Sequence, residues 1–301
     1  MQKYLSRRAA VKFFALLAGL TTPVRSSWSA PRGVDPKLKR AYLDSENLGQ
    51  QHYWTVGKGP VLVMLHQSAQ SSAEFAAIAP LLAEDFRVLV PDLPGHGQSD
   101  TPDHELSMDE YADSVIALMD ELNVTTAHLA GQHGGATVAI NMALRYPERV
   151  GKVVLSGAGR DENFDVEKAI NTPMTRDLPV DADGDFLRKT WDVYRNMSAS
   201  GSAPELSFHP FLVALQQRQR VYDMHYAAYR WNFIPLLKHF SRPAMLLEAD
   251  EDIYAGDVKA MQARIPGSVY RKVSNGGGAW QFYEKPAENA AVIREFLLRP
   301  F

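Results

Sequence analysis

From residue 60 onward, short apolar runs alternate with longer stretches in which apolar side chains recur every three or four positions. Val61-Leu62-Val63-Met64-Leu65 is apolar throughout, and Val88-Leu89-Val90, Ala127-His128-Leu129-Ala130, Val153-Val154-Leu155 and Ala244-Met245-Leu246-Leu247 have the same character. A strand buried on both faces reads this way, because neither face meets water. Helical patterns fill the gaps. Ser107 to Leu122 opens on a serine cap with acids in its first turn, and Ala136 to Tyr146 stops before Pro147, which cannot continue a helix. Ahead of the first buried strand, Arg40 to Val56 has the pattern of a hairpin turning at Asn47-Leu48-Gly49. Strands and helices in this order predict a mostly parallel sheet with helices on both faces.

Between Gly157 and Arg242 the alternation stops, and aromatics, Arg, Asp and Pro take over. The expected organisation is a core over 31–160 and 241–301, with a helical lid over 161–240 inserted after the sixth strand. Aromatics from Trp191 to Trp231, among them Tyr194, Phe211, Tyr226 and Tyr229, are candidates for a pocket roof and equally for the insertion's own core.

With 301 residues, 46% hydrophobic and 22% charged, the chain suits a single core with an insertion. Its first 30 residues differ from the rest. They hold Lys3, Arg7, Arg8, Lys12 and Arg25 and no carboxylate, and the paired arginines precede an apolar stretch from Phe13 to Leu20. This segment resembles a twin-arginine export signal, with cleavage expected near Ser29 or Ala30 and a periplasmic or secreted destination. The stretch is about half the ~20 residues that span a bilayer, so no stable membrane insertion is expected. Without the leader, 27 basic residues face 35 acidic ones, and the formal charge moves from -3 to -8. No basic patch for phosphates remains, so a small molecule is expected as partner and nucleic acid is not. The chain has no cysteine, which excludes a thiol nucleophile and cysteine-ligated metal. The histidines outside the motifs described next, His52, His104, His128, His209, His225 and His239, lack metal-ligand spacing, and no Gly-x-Gly-x-x-Gly follows a strand. Neither a metal nor a cofactor is expected.

Four motifs stand in a telling order. His66 to Phe75 closes the strand ending at Leu65; Pro91-Asp92-Leu93-Pro94-Gly95-His96-Gly97-Gln98-Ser99-Asp100 follows the next strand; Gly131-Gln132-His133-Gly134-Gly135 joins a strand to a helix; and Ala249-Asp250-Glu251-Asp252 and Asn275 to Pro286 come near the C-terminus. Together they resemble the α/β-hydrolase superfamily over nearly the whole mature chain. The resemblance implies an oxyanion hole from the backbone amides of Ser68 and Gly134, an architectural role for His96 and Ser99, and a triad acid at Asp252, with Asp250 the weaker alternative. Two positions depart from the pattern. His133 stands where the nucleophilic serine belongs, and counting back from Glu284-Lys285-Pro286 puts Ala279 where the catalytic histidine belongs. Gln67 replaces a glycine and is expected to project toward the pocket, near Gln132, Ala279 and Trp280.

The two departures are complementary in size. In a triad the imidazole lies between nucleophile and acid. A ring carried by His133 can fill that space while Ala279 leaves room, with Asp252 in reach of a ring nitrogen. A His133–Asp252 general-base dyad would activate water against an ester, lactone or similar carbonyl without a serine acyl-enzyme. The same base would serve a lyase, isomerase or cyclase. A catalytically inactive pocket that binds a small molecule, with His133 as a core filler, is the remaining alternative.

Overall fold

The computed structural model describes residues 38–45, 48–160, 164–172, 178–217, 222–274 and 277–300. The expected leader, Asn47 of the hairpin turn and the Asn275-Gly276 part of the C-terminal motif lie outside them. The continuous apolar runs form the middle of one eight-stranded sheet. Its strands are β1 (Lys39–Ser45), β2 (Gly49–Val56), β3 (Val61–Leu65), β4 (Arg87–Pro91), β5 (Ala127–Gln132), β6 (Val150–Ser156), β7 (Ala244–Ala249) and β8 (Val269–Val273). They lie in the order β1-β2-β4-β3-β5-β6-β7-β8. β1, β2 and β4 pair antiparallel, and every pair from β4–β3 to β7–β8 is parallel.

Successive side chains of a strand point to opposite faces, and the two faces build separate cores. Val63 and Leu65 of β3 join Val115, Met119, Val138 and Met142 on one side. Leu62 and Met64 join Phe75, Ile293 and Phe296 on the other. The helices outside the insertion follow from caps and breakers. After the short α1 (Ala79–Leu82), α2 (Met108–Glu121) starts at Ser107 with a full capping box. Ser107 Oγ accepts from the Glu110 amide, and the Glu110 carboxylate accepts from the Ser107 amide at 2.8 Å. α3 (Gly134–Arg145) ends before Pro147.

Between β6 and β7 the described helices are α4 (Val166–Asn171), α5 (Asp185–Asn196), α6 (Pro204–Gln217) and α7 (Asp223–Arg230). Their aromatics build a third core, in which Tyr194, Phe211, Tyr222 and Tyr226 pack with Ala279 and Trp280. Trp280 stacks on Tyr194 at 5.4 Å and donates its indole N–H to the Tyr194 carbonyl. The chain closes with α8 (Asp257–Gln262), α9 (Gln281–Glu284) and α10 (Pro286–Leu298). Among the described residues no helix is long and apolar enough to cross a membrane.

The loop after β4 is a buried clamp. Asp92 accepts from the His52 ring at 2.7 Å and from the Gln98 amide at 2.9 Å, while Ser99 Oγ donates to the Asp92 carbonyl and His96 Nδ1 meets the Pro94 carbonyl. His96 and Ser99 are thereby spent on holding loops together, as an architectural role requires.

The register of the parallel strands decides where chemistry can gather. Leu65 lies opposite Gly131, Gln132 opposite Ser156, and Ser156 opposite Leu247, so β3, β5, β6 and β7 end side by side. In open parallel sheets ligands bind beyond such carboxyl ends. This alignment requires α3 to press on β3, and a Cβ on Gly135 would lie 2.1 Å from the Leu65 carbonyl oxygen. Gly135→Ala is expected to cost about 1–3 kcal/mol of stability by overpacking against backbone. Urea unfolding of the two proteins at one pH measures it.

Candidate active site

The residue after β5 must turn the chain sharply from strand to helix. His133 does so with φ 46° and ψ −109°, a sparsely populated conformation for a residue with a side chain. The strain is held from both sides, because its amide donates to the Ser156 carbonyl at 2.9 Å and its carbonyl accepts from the Thr137 amide at 3.1 Å. The turn throws the side chain off the end of the sheet toward the loop after β7. There His133 Nε2 lies 2.9 Å from Oδ2 and 3.1 Å from Oδ1 of Asp252, both side chains being almost fully buried.

Asp252 is fixed by more than the ring. Its Oδ1 also accepts from the Tyr254 amide at 2.8 Å, and the Gln132 side-chain amide approaches Oδ2 at 3.5 Å. Burial raises the pKa of Asp252, but the His133 imidazole and these hydrogen bonds outweigh it and hold the carboxyl below its ordinary range. Since a carboxylate only accepts, Nε2 carries the proton and the lone pair of the neutral ring sits on Nδ1. The ring is walled by Tyr254, edge-on at 4.8 Å, and by Gly157, on which a Cβ would come within 2.1 Å of His133 Cδ2. The space for the imidazole is therefore provided at Gly157, at the end of β6.

The remaining expected residues fall into two groups. Ser68 and Gly134 come together: Ser68 Oγ would lie 2.8 Å from a Cβ on Gly134, and that hydroxyl is buried without a hydrogen-bond partner. Gln67, Gln132, Ala279 and Trp280 lie packed beneath the site. The Gln67 side chain donates to Glu74 Oε1 at 2.7 Å and to the Ala279 carbonyl at 2.9 Å, so it turns inward. Gln132 accepts from Gln281, which also donates to Ser156 Oγ. Ala279 has no exposed surface, and Trp280 is occupied by Tyr194.

A cavity of about 200 Å³ lies against His133, with Gly134 and Thr137 of α3 also in its lining. Its other walls come from residues that sequence reasoning did not single out as a set: Gly157 and Tyr254 beside the ring, Arg160, and Phe164, His225 and Phe233 from the insertion and its return. Of the aromatics put forward for a roof, Tyr229 lines this cavity. Helical spacing held one clue, because His225, Ala228 and Tyr229 share one face of α7 and all three line the cavity.

Glu74 was equally unmarked in the sequence. It is buried in the short turn Ser72–Phe75 and accepts from the backbone and side-chain amides of Gln67 at 2.9 and 2.7 Å. Burial raises its pKa to about 7 against the lowering effect of those hydrogen bonds and of His133.

With this geometry in place, the comparisons with known proteins decide the family. The model described as alpha/beta hydrolase fold matches residues 60–286. The chain belongs to the α/β-hydrolase fold family. Among solved structures, this α/β-hydrolase resembles an enol-lactonase from Burkholderia xenovorans LB400 with a TM-score of 0.74 at 18% identity, covering 86% of this chain and all of that one. A thermophilic esterase from Thermogutta terrifontis aligns with a TM-score of 0.73 at 22% identity, over 86% of this chain and 98% of its own. At these identities the likeness concerns the fold. Among curated proteins, a 2-hydroxy-6-oxo-6-phenylhexa-2,4-dienoate hydrolase of Burkholderia cepacia is 38% identical over 117 residues, 36% of this chain and 40% of the relative. The chain thus matches about two fifths of that relative's length. The magnesium-chelatase 30 kDa subunit of Rhodobacter capsulatus is 28% identical over 254 residues, 79% of this chain and 88% of its own.

The Glu74 shift has a measurable consequence. Its carboxyl binds a proton in the folded state up to about pH 7, whereas the unfolded chain releases it near 4.5. Stability therefore falls as pH rises through that window and levels off above it, by about 3 kcal/mol in all. Glu74→Gln imitates the protonated form. It is expected to gain stability over the parent chain at pH 8 relative to pH 5, read from urea unfolding at both values.

Proposed function

We propose that this chain is an exported α/β-hydrolase-fold enzyme that hydrolyses a small organic carbonyl compound, an ester or lactone, with a His133–Asp252 general base and no serine acyl-enzyme. The observation that carries the reading is the 2.9 Å contact between His133 Nε2 and Asp252 on a ring that also forms the cavity floor. The carboxylate fixes the tautomer, leaves Nδ1 as acceptor and stabilises the imidazolium when it forms. Nδ1 takes a proton from water as the water oxygen bonds to the carbonyl carbon. The oxyanion is held by the amides of Ser68 and Gly134, the latter at the N-terminus of α3. Collapse breaks the carbon–oxygen bond to the leaving group, which takes the proton back from Nδ1. Two similar proteins, an enol-lactonase and a 2-hydroxy-6-oxo-6-phenylhexa-2,4-dienoate hydrolase, are named for the same broad chemistry. The leader of residues 1–30 supports export to the periplasm or beyond.

A second reading rests on the same free nitrogen. A base at Nδ1 facing two amides also suits removal of a proton next to a carbonyl, with the amides holding the enolate, as a lyase, isomerase or cyclase needs.

General-base assistance typically contributes about 10²–10⁴ in rate. Turnover of 4-nitrophenyl acetate is therefore expected to fall at least about 100-fold in His133→Ala and in Asp252→Asn, with no burst of 4-nitrophenol in the parent enzyme. A stoichiometric burst would mean an acyl-enzyme and overturn the mechanism. Equal rates in parent and both variants would leave a binding-only protein as the better account.

A further inference from the structure

α7 is wedged among three surroundings. Met224 and Ala227 pack into the core over the sheet, Tyr222 and Tyr226 pack into the aromatic core of the insertion, and His225, Ala228 and Tyr229 face the cavity. A helix held on two sides presents its third face in a fixed position. The His225 ring is further flanked by Tyr222 at 5.5 Å and Tyr229 at 5.7 Å. Yet its Nδ1 is buried without a hydrogen-bond partner. A buried polar atom left unpaired is costly, and natural proteins retain such groups where a ligand completes them.

The neighbours narrow what that ligand is. Arg160 is the cation of the cavity wall, and its guanidinium is committed to the end of α7, donating to the carbonyls of Ala228, Tyr229 and Trp231 at 3.2, 2.9 and 2.7 Å. It closes the helix C-terminus, which leaves fewer of its N–H groups for an anion. Asp257 places a carboxylate on the rim, which further disfavours a negative ligand. Burial, with the nearby His133, lowers the His225 pKa to about 4, so this ring is neutral at ordinary pH and offers one donor. Size sets a second limit. A cavity of about 150 Å³ is known to take benzene, so about 200 Å³ suits one substituted ring or a chain of similar bulk.

We propose that His225 is a substrate-binding residue of this site, donating a hydrogen bond to an oxygen of an uncharged, single-ring-sized ester, lactone or ketone held between it and His133. The proposal rests on the functional reading above for the role of His133, but its own content is recognition. A neutral imidazole donor polarises an oxygen without bringing in a charge that would compete with the Asp252 pair.

Acetophenone, a non-hydrolysable uncharged ketone, is the probe. Calorimetric titration of the full chain is expected to show saturable binding that His225→Phe weakens about tenfold and His225→Gln, which restores a donor, brings back to within about threefold of the parent. Benzoate, its anionic counterpart, is expected to bind about tenfold more weakly than acetophenone. Thermal melts of each variant establish that the fold is retained. Equal acetophenone affinity in parent and His225→Phe, tighter binding of benzoate, or no binding to the parent would overturn the proposal. Two measurements separate the two claims: turnover of 4-nitrophenyl acetate in Asp252→Asn, whose side chain is not among the residues lining the cavity, reads the His133 base, and acetophenone affinity in His225→Phe reads recognition.

Discussion

The site hangs on one backbone conformation, the positive φ of His133 at the end of β5. A residue with a side chain placed there costs on the order of 1–3 kcal/mol, and the surrounding structure has to over-determine it. Two hydrogen bonds to neighbouring elements do so, and three glycines make it sterically possible. Gly131 and Gly135 let α3 fold back onto β5 and β3, and Gly157 vacates the volume that the ring enters. The direction of the side chain then follows from the direction of the turn, and the parallel register of β5, β6 and β7 puts Asp252 where the ring arrives.

Two buried carboxyls in this region are pushed in opposite directions. Asp252 is held below its ordinary range because a ring nitrogen and a backbone amide point at it. Glu74 rises to about 7 because burial outweighs the two amides of Gln67 that solvate it. Near neutrality only one of them is reliably charged.

Much of this was legible in the chain itself. Buried strands show as unbroken apolar runs, the cap of α2 as Ser107 with Glu110, and the elbow as glycines around residue 133, because each is dictated by neighbours in sequence. Asp252, singled out by its spacing after β7, lies 2.9 Å from the His133 ring. Other contributors leave no local trace. Glu74 looks like an ordinary acid in a polar turn, and its burial exists only once α9 packs against that turn. Gln67, expected to point into the pocket, turns inward because Glu74 and the Ala279 carbonyl satisfy its amide better than an apolar wall would. His225 shares a face of α7 with Ala228 and Tyr229, but the sequence alone does not say that this is the face meeting the cavity. Most aromatics of the insertion built a core of their own, as aromatics at helical spacing tend to do.

Carrying the imidazole on the turn between β5 and α3 has a geometric consequence. A triad ring reaches the acid through one nitrogen and the nucleophile through the other. Here the ring enters from the nucleophile's side, so Nε2, the outer nitrogen, meets Asp252 and Nδ1, the inner one, keeps the lone pair. Nδ1 is one bond from the ring's attachment point, and its position is set almost wholly by the strained backbone and two side-chain torsions. The ring is thereby fixed beside the start of α3. In the proposed mechanism hydrolysis and carbon-centred proton transfer would use the same ring nitrogen, so what the cavity admits next to it, rather than the dyad itself, would decide between them.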